Sequence, residues 1–362
     1  EIYRFRLEPD AVTFTPKAEA EGRVLNQFSM SEYGDYFRIA TQAGQAWGDE
    51  LSETLVTIFD ADMQETGRID GIAPGENMKA ARFMGDRAFL ITFKTVDPLF
   101  VIDLDPENPT ILGKLKIPGW SDYLHPWGED HLIGFGKEVD ESIDADKVHS
   151  DSAVYYTAVL GMKLAIYDVS DLSDPREIHK EVIGFRGTTS EVLNNHKALL
   201  VDPEKGIIGF PITITENMGE ETGVNADIET VFAGAHIYDV SIDDGFDLRG
   251  AVSHYTDEEV YRKSGEYFYG DPELNIQRLI YIGENFYSIS PNVIKALGWD
   301  DLAEGQSLTL DKRQCGDIRT ESECSARADC VAVYQTYEEC RREFGEEMEC
   351  EGEREFWYCE AE

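Results

Sequence analysis

Seven histidines, six cysteines and 72 acidic side chains are the groups in this 362-residue sequence with chemistry to offer, and their spacing limits what it can be. His125, His131, His149, His179, His196, His236 and His254 form no H-x-H, H-x-x-x-H or H-E-x-x-H pattern, so no transition-metal centre is encoded locally. No G-x-S-x-G elbow, P-loop or strand-following G-x-G-x-x-G turn occurs, so acyl transfer and nucleotide binding lack a local signature. Asp122 and His125, in the phrase SDYLHP between Trp120 and Trp127, are the candidate pair for ligand binding or carboxylate-dependent chemistry. His196 and His236 sit within strand patterns and read as core or channel residues.

Calcium takes six to eight oxygen ligands, and D-x-D turns are plausible donors. Such turns occur at Asp60-Ala-Asp62, Asp103-Leu-Asp105 and Asp144-Ala-Asp146, with Asp243-Asp244 adjacent in a fourth. None fits the twelve-residue EF-hand loop. Asp60 and Asp103 each end an apolar run, where an aspartate turns the chain by accepting from its own backbone. The expected calcium ligands are therefore Asp140, Asp144, Asp146 and Asp227, in the polar insertions 140–151 and 216–229, which need something to order them.

All six cysteines, Cys315, Cys324, Cys330, Cys340, Cys350 and Cys359, lie in the final 48 residues. They contain no C-x-x-C pair and no histidine accompanies them, which argues against zinc. An even number in a short acidic tail reads as three disulfides, and hence as a secreted or cell-surface protein in an oxidising compartment. The connectivity is left open among its 15 possibilities.

The elements that must position these residues recur. An apolar strand ending in Asp, a polar turn and a second strand appear at 55–72, 99–117, 163–183 and 235–253. A strand, a tight turn carrying Gly beside an acidic residue or Asn, and another strand precede them, as in MKAARFMGDRAFLITF (78–93) and YLHPWGEDHLIGFG (123–136). Two such hairpins make a four-stranded unit of blade size. Four complete units are expected at 25–72, 78–117, 121–183 and 190–255, a compressed fifth at 276–310, and two leading strands in 1–22. TDEEVYRK (256–263) carries a helix start with Thr256 or Asp257 as cap. The fold class is thus all-β: a β-propeller segment over 1–310, holding about five to six blades' worth of strands, and a disulfide-rich module over 311–362. The inner strand of a blade lines the central channel, which would place Asp122 and His125 at its mouth.

The 72 acidic residues face 32 basic ones, for a formal net charge of −40. Such a surface repels nucleic acid and anionic lipid and attracts cations. No apolar run approaches the roughly 18 residues that a membrane helix needs. The chain opens at Glu1-Ile2-Tyr3, which reads as a processed or truncated start.

LNQFSMSEYGDYFRIAT (25–41), VDPLFVIDLDPENPTILGKLKIPGWSDYLHP (96–126), GMKLAIYDVSDLSDP (161–175) and NNHKALLVDPEKGIIGFP (194–211) together resemble secreted archaeal and bacterial proteins with a C-terminal β-propeller domain. The resemblance runs over about 1–310 and leaves the cysteine-rich tail as an addition. It implies further propeller strands upstream of the segment equivalent to Ile2–Leu7, in a ring of roughly seven to nine blades, supplied by an N-terminal fragment of the same precursor; the alternative is that the C-terminal strands complete the leading half-blade and close the ring. From these readings we expect an extracellular scaffold that binds a protein or glycan partner, calcium-supported. A hydrolase or lyase at the channel mouth is the first alternative. A subunit whose missing strands come from another polypeptide is the second.

Overall fold

The computed structural model describes residues 1–14, 16–44, 51–93, 97–140, 158–221, 225–255, 270–302, 305–310, 315–325, 327, 330–341 and 349–361. The chain divides into two compact units, Glu1–Leu308 and Thr309–Glu362.

Among the described residues the first unit carries five antiparallel sheets, each of four strands in simple chain order. They are β3 (Met30–Tyr33), β4 (Tyr36–Ala43), β5 (Glu53–Phe59) and β6 (Glu65–Ile72); β7 (Asn77–Met84), β8 (Arg87–Phe93), β9 (Asp97–Asp103) and β10 (Thr110–Ile117); and β11 (Trp120–Trp127), β12 (His131–Val139), β13 (Val159–Asp168) and β14 (Arg176–Ile183). The fourth is β15 (Leu200–Asp202), β16 (Ile207–Asn217), β17 (Ile228–Ser241) and β18 (Gly245–Val252). The fifth is β19 (Arg278–Ile282), β20 (Asn285–Ile289), β21 (Val293–Gly298) and β22 (Gly305–Thr309). A lone hairpin, β1 (Phe5–Glu8) and β2 (Ala11–Phe14), precedes them.

Sequence explains the layering within a sheet. Middle strands such as β8 (RAFLITF) and β13 (VLGMKLAIYD) are near-continuous apolar runs buried on both faces. Burying one such side chain contributes about 1.5–3 kcal/mol. Last strands such as β10 and β14 alternate and are largely exposed. First strands of neighbouring sheets meet, as β7 and β11 do, so the first strand of each sheet is the inner one.

The cores lie between consecutive sheets rather than within one. Phe89, Ile91 and Val101 of the second sheet pack with Trp120, Leu124 and Tyr167 of the third. Phe135 and Leu164 of the third pack with Phe210 and Tyr238 of the fourth. Further cores join the first sheet to the second and the fourth to the fifth. A smaller one joins Ile2 and Ala18 to Ile39, Phe59 and Met63 of the first sheet. Sheets stacked face to face in sequence order, each an up-and-down meander, are the blades of a propeller.

The turns follow their predicted chemistry in part. Gly85 opens the two-residue loop between β7 and β8 at φ 58°, and Gly34 and Gly283 repeat it at φ 60° and 62°, as a type II′ hairpin requires. Asp60 Oδ1 accepts from the amides of Asp62 and Gln64, each at 2.9 Å, and Asp168 Oδ1 accepts from Ser170 at 2.9 Å. At the equivalent place after Asp103 the turn is instead held by Asp105, which accepts from Glu107 and Asn108. Asp239 pairs with Arg249 at 2.7 Å. The predicted helix start at 256–263 lies outside the described residues.

The second unit is a long hairpin, β23 (Cys330–Arg341) with β24 (Glu349–Ala361), plus the short helix α1 (Glu321–Ser325). Disulfides Cys315–Cys330 and Cys324–Cys359 surround a small core completed by Ile318. Cys340 and Cys350 are Cα partners across the ladder.

Candidate functional site

The inner strand β11 sends its residues into two different networks. Trp120 and Leu124 join the core toward the second sheet, whereas Tyr123 and Trp127 join the core toward the fourth. A bulge between Ser121 and Tyr123 accompanies this division.

Asp122 belongs to the first network. Trp120 Nε1 donates to both of its carboxylate oxygens at 3.0 Å. Burial pushes the Asp122 carboxyl up, opposed by Lys79, the Trp120 bond and Lys137. Lys79 Nζ lies over the rings of Phe93 and Trp120, at 5.4 and 5.3 Å. Burial pulls the Lys137 ammonium down to about 8, against the pull of Asp122. Lys137 donates to the Thr188 carbonyl.

His125 belongs to the second network. Its Nδ1 lies 2.9 Å from the Tyr123 hydroxyl. Burial, reinforced by Arg82 and His196, pulls its imidazole down to about 4, so the ring is neutral near pH 7. Asp122 and His125 thus have separate partners, and among the described contacts the two side chains do not meet.

Near them a pocket of about 500 Å³ opens. Three capped turns shape it. Asn26 accepts from the Phe28 amide at 2.9 Å and starts the 3-10 turn Gln27–Ser29. Ser190 accepts from the Val192 amide at 3.2 Å and starts Glu191–Leu193. Asn195 accepts from the Lys197 amide at 3.2 Å and starts His196–Ala198. These are the local side-chain bonds that Ser and Asn make at turn starts, and they hold the loop without sheet pairing. Tyr123 and Asp122 on β11 and Arg278 on β19 complete the lining.

The interior is aromatic and cationic. Phe28 meets His196 edge-on at 4.8 Å and Tyr123 at 5.4 Å. Gln27 Nε2 sits 3.1 Å from His196 Nε2. Arg82, from β7, lies 4.5 Å from the centroid of Phe28 and 5.8 Å from that of Tyr123. The His196 imidazole is pulled down by burial and then by three nearby cations, Lys197, Arg82 and Arg278.

Of the calcium candidates, Asp140 donates its amide to Ala158, and the Asp227 carbonyl accepts from Met218 at 2.7 Å, so both close ends of long hairpins. Asp144 and Asp146 lie outside the described residues. Among the described residues the only cluster of three metal-capable side chains is Cys315, Cys330 and Cys359, whose sulfurs are in disulfides.

One placement differs from the sequence reading. His196 is not in a strand but in a 3-10 turn beside the pocket, because Asn195 caps that turn. Phe28, Arg82, Lys197 and Arg278 carried no sequence signal, since each comes from a different blade or connection and stands alone in its own segment.

A sequence profile of the Beta propeller domain family matches residues 1–302. An uncharacterized protein of Archaeoglobus fulgidus is 32% identical over 275 residues, covering 76% of this chain and 36% of that protein. One of Methanocaldococcus jannaschii is 39% identical over 195 residues, covering 53% of this chain and 28% of that protein. The chain therefore spans about a third of the length of these relatives. Among solved structures, cobalt-substituted Synechocystis apocarotenoid oxygenase has a TM-score of 0.36 at 9% identity, covering 76% of this chain and 58% of that one. Pyrococcus horikoshii acylaminoacyl peptidase has a TM-score of 0.36 at 10% identity, covering 88% and 56%. Likenesses of that size say nothing of activity. With its meander sheets, its cores between blades and the matching profile, the chain belongs to the β-propeller domain family.

Proposed function

We propose that this protein is an extracellular binding scaffold whose pocket at the inner strands holds part of a protein or glycan partner. The observation that carries the reading is the pocket itself. Its volume of about 500 Å³ falls in the range of small-ligand sites, and its walls come from capped turns on a rigid blade frame. Loops placed on such a frame are where repeat folds bind. Two disulfides in the second unit are compatible with an oxidising, extracellular setting. No helix among the described residues is long and apolar enough to cross a membrane. Screening the whole chain against glycan and peptide arrays tests the reading: binding lost on Tyr123→Ala supports it. Turnover of an arrayed substrate, abolished by Asp122→Asn, overturns it in favour of an enzyme.

One surface supports a second, compatible role as part of a larger assembly. Phe5, Leu7, Val12 and Phe14 share one face of the β1–β2 hairpin, Tyr3 precedes it, and each of the five is more than half exposed. A two-stranded ladder with an apolar face is marginal alone, and among the described residues no further strand pairs with either of its edges. We propose that further propeller strands, from the same precursor or a second polypeptide, pair with this hairpin and cover that face. Hydrogen exchange measures it directly. Unprotected β1 amides in the isolated chain, protected in material purified from its source, support the role. Equal protection in both overturns it.

A further inference from the structure

The pocket is a patch of unbalanced positive charge on a chain of net charge −40. Arg278 and Lys197 line it, and Arg82 lies behind Phe28 and Tyr123. Among the described residues no carboxylate pairs with any of the three. Arg82 Nε is buried without a hydrogen-bond partner, although most buried donors find one. Asp122 is the one acidic residue in the lining, and its oxygens are already taken by Trp120 Nε1. The cations thus outnumber the one carboxylate in the lining, which is itself attracted by Lys79 and Lys137.

The rest of the lining is suited to hydroxyls. Asn26, Gln27 and Asn194 bring side-chain amides, and Phe28 and Tyr123 bring rings. The acidic surface beyond the pocket repels any extended polyanion, so an anion entering here must be compact. We propose that the pocket binds an acidic sugar, holding its carboxylate or sulfate group at Arg278 and Lys197 and its hydroxyls on the amides. This rests on the reading of the pocket as the ligand site.

Titration calorimetry on the whole chain at low salt tests it, with glucuronate and galactose 6-sulfate as probes. Glucose, galactose and inorganic sulfate are the controls. At least one acidic sugar should bind ten times tighter than its neutral parent, and the two probes separate carboxylate from sulfate recognition. Arg278→Gln and Lys197→Gln should each weaken that binding about tenfold, the scale of a hydrogen bond to a charged group. Both residues are exposed, so the variants should keep the parent melting temperature. Lys114→Gln, on the outer strand β10, should leave affinity unchanged. Neutral parents binding as tightly, or pocket variants binding like the parent chain, overturn the acidic-group assignment and leave the pocket as a ligand site. Inorganic sulfate matching galactose 6-sulfate overturns the sugar assignment. Binding of no probe or neutral sugar overturns both this inference and the glycan form of the reading it rests on.

Discussion

Two groups of charge in the propeller unit are handled in opposite ways. In the third blade Lys163 is 1% exposed, and its Nζ lies 2.6 Å from Glu177 and 3.6 Å from Glu138. It also donates to the Pro118 carbonyl at 2.9 Å, and Lys180 pairs with Glu138 at 2.8 Å. Two cations meet two carboxylates, so this cluster holds no net charge. At the pocket, Arg82, Lys197 and Arg278 pair with no carboxylate among the described residues, and aromatic faces are the main company of Arg82. Interior charge is tolerable when balanced, whereas unbalanced charge persists only where solvent or a ligand can reach it. The first group is architecture, and the second is the charge that the proposed pocket ligand would meet.

The comparison can be broken most strongly by acid. His236 and His254 are buried and pulled down to about 4, as His125 is beside the pocket. Unfolded histidine titrates near 6.5, so between those values the unfolded chain binds more protons and stability rises with pH. Stability is therefore lost as pH falls from 6.5 to 4, by at most about 3 kcal/mol for each of the two fully buried rings. Urea midpoints at pH 7 and pH 4.5 measure this. Equal midpoints would show that the rings accept protons without opening the blades.

Next in size is Lys163→Met. It leaves the buried Glu138 and part-buried Glu177 without their central cation, which should cost about 3–5 kcal/mol in urea unfolding. A loss under about 1 kcal/mol would mean that water already reaches these carboxylates, and the contrast with the pocket would fail.

Lys137 is an intermediate case, with Asp122 near but burial dominant. Its folded value of about 8 lies below the unfolded 10.5, so the unfolded chain holds the extra proton between them. This group's contribution to stability should rise by up to about 3 kcal/mol as pH goes from 8 to 10.5. Lys137→Met should flatten that rise, and a parallel profile in the variant would refute the assignment.

Arg82→Met carries the smallest expected change. Removing an unbalanced cation while keeping contact with Phe28 should alter stability by less than about 1 kcal/mol. The His125 imidazole should titrate at higher pH in the variant, because a like charge has gone. Proton NMR of the His125 ring reads this; an unmoved midpoint would show that Arg82 does not act on the site.

Local signals carried far along the chain. Hairpin phrases placed the blades because period-2 alternation and a glycine at a positive-φ turn are decided by neighbouring residues. MKAARFMGDRAFLITF became β7 and β8 with Gly85 at the turn. The clustering of cysteines foretold a stapled tail, and two bridges are seen there. The site was legible only in fragments. SDYLHP drew attention as an inner-strand phrase carrying an Asp–His pair, but its Asp122 and His125 went to different networks.

By itself, then, the sequence determined the all-β repeat, its hairpin turns and its acidic charge, because each depends on residues a few positions apart. Tertiary structure alone decided the pocket. Phe28, Arg82, Tyr123, His196 and Arg278 come from segments up to 250 residues apart, and only the stacking of blades brings them within reach of one another. It also decided which charges are balanced, because counter-charge is a matter of distance in space, to which the order of residues along the chain is blind.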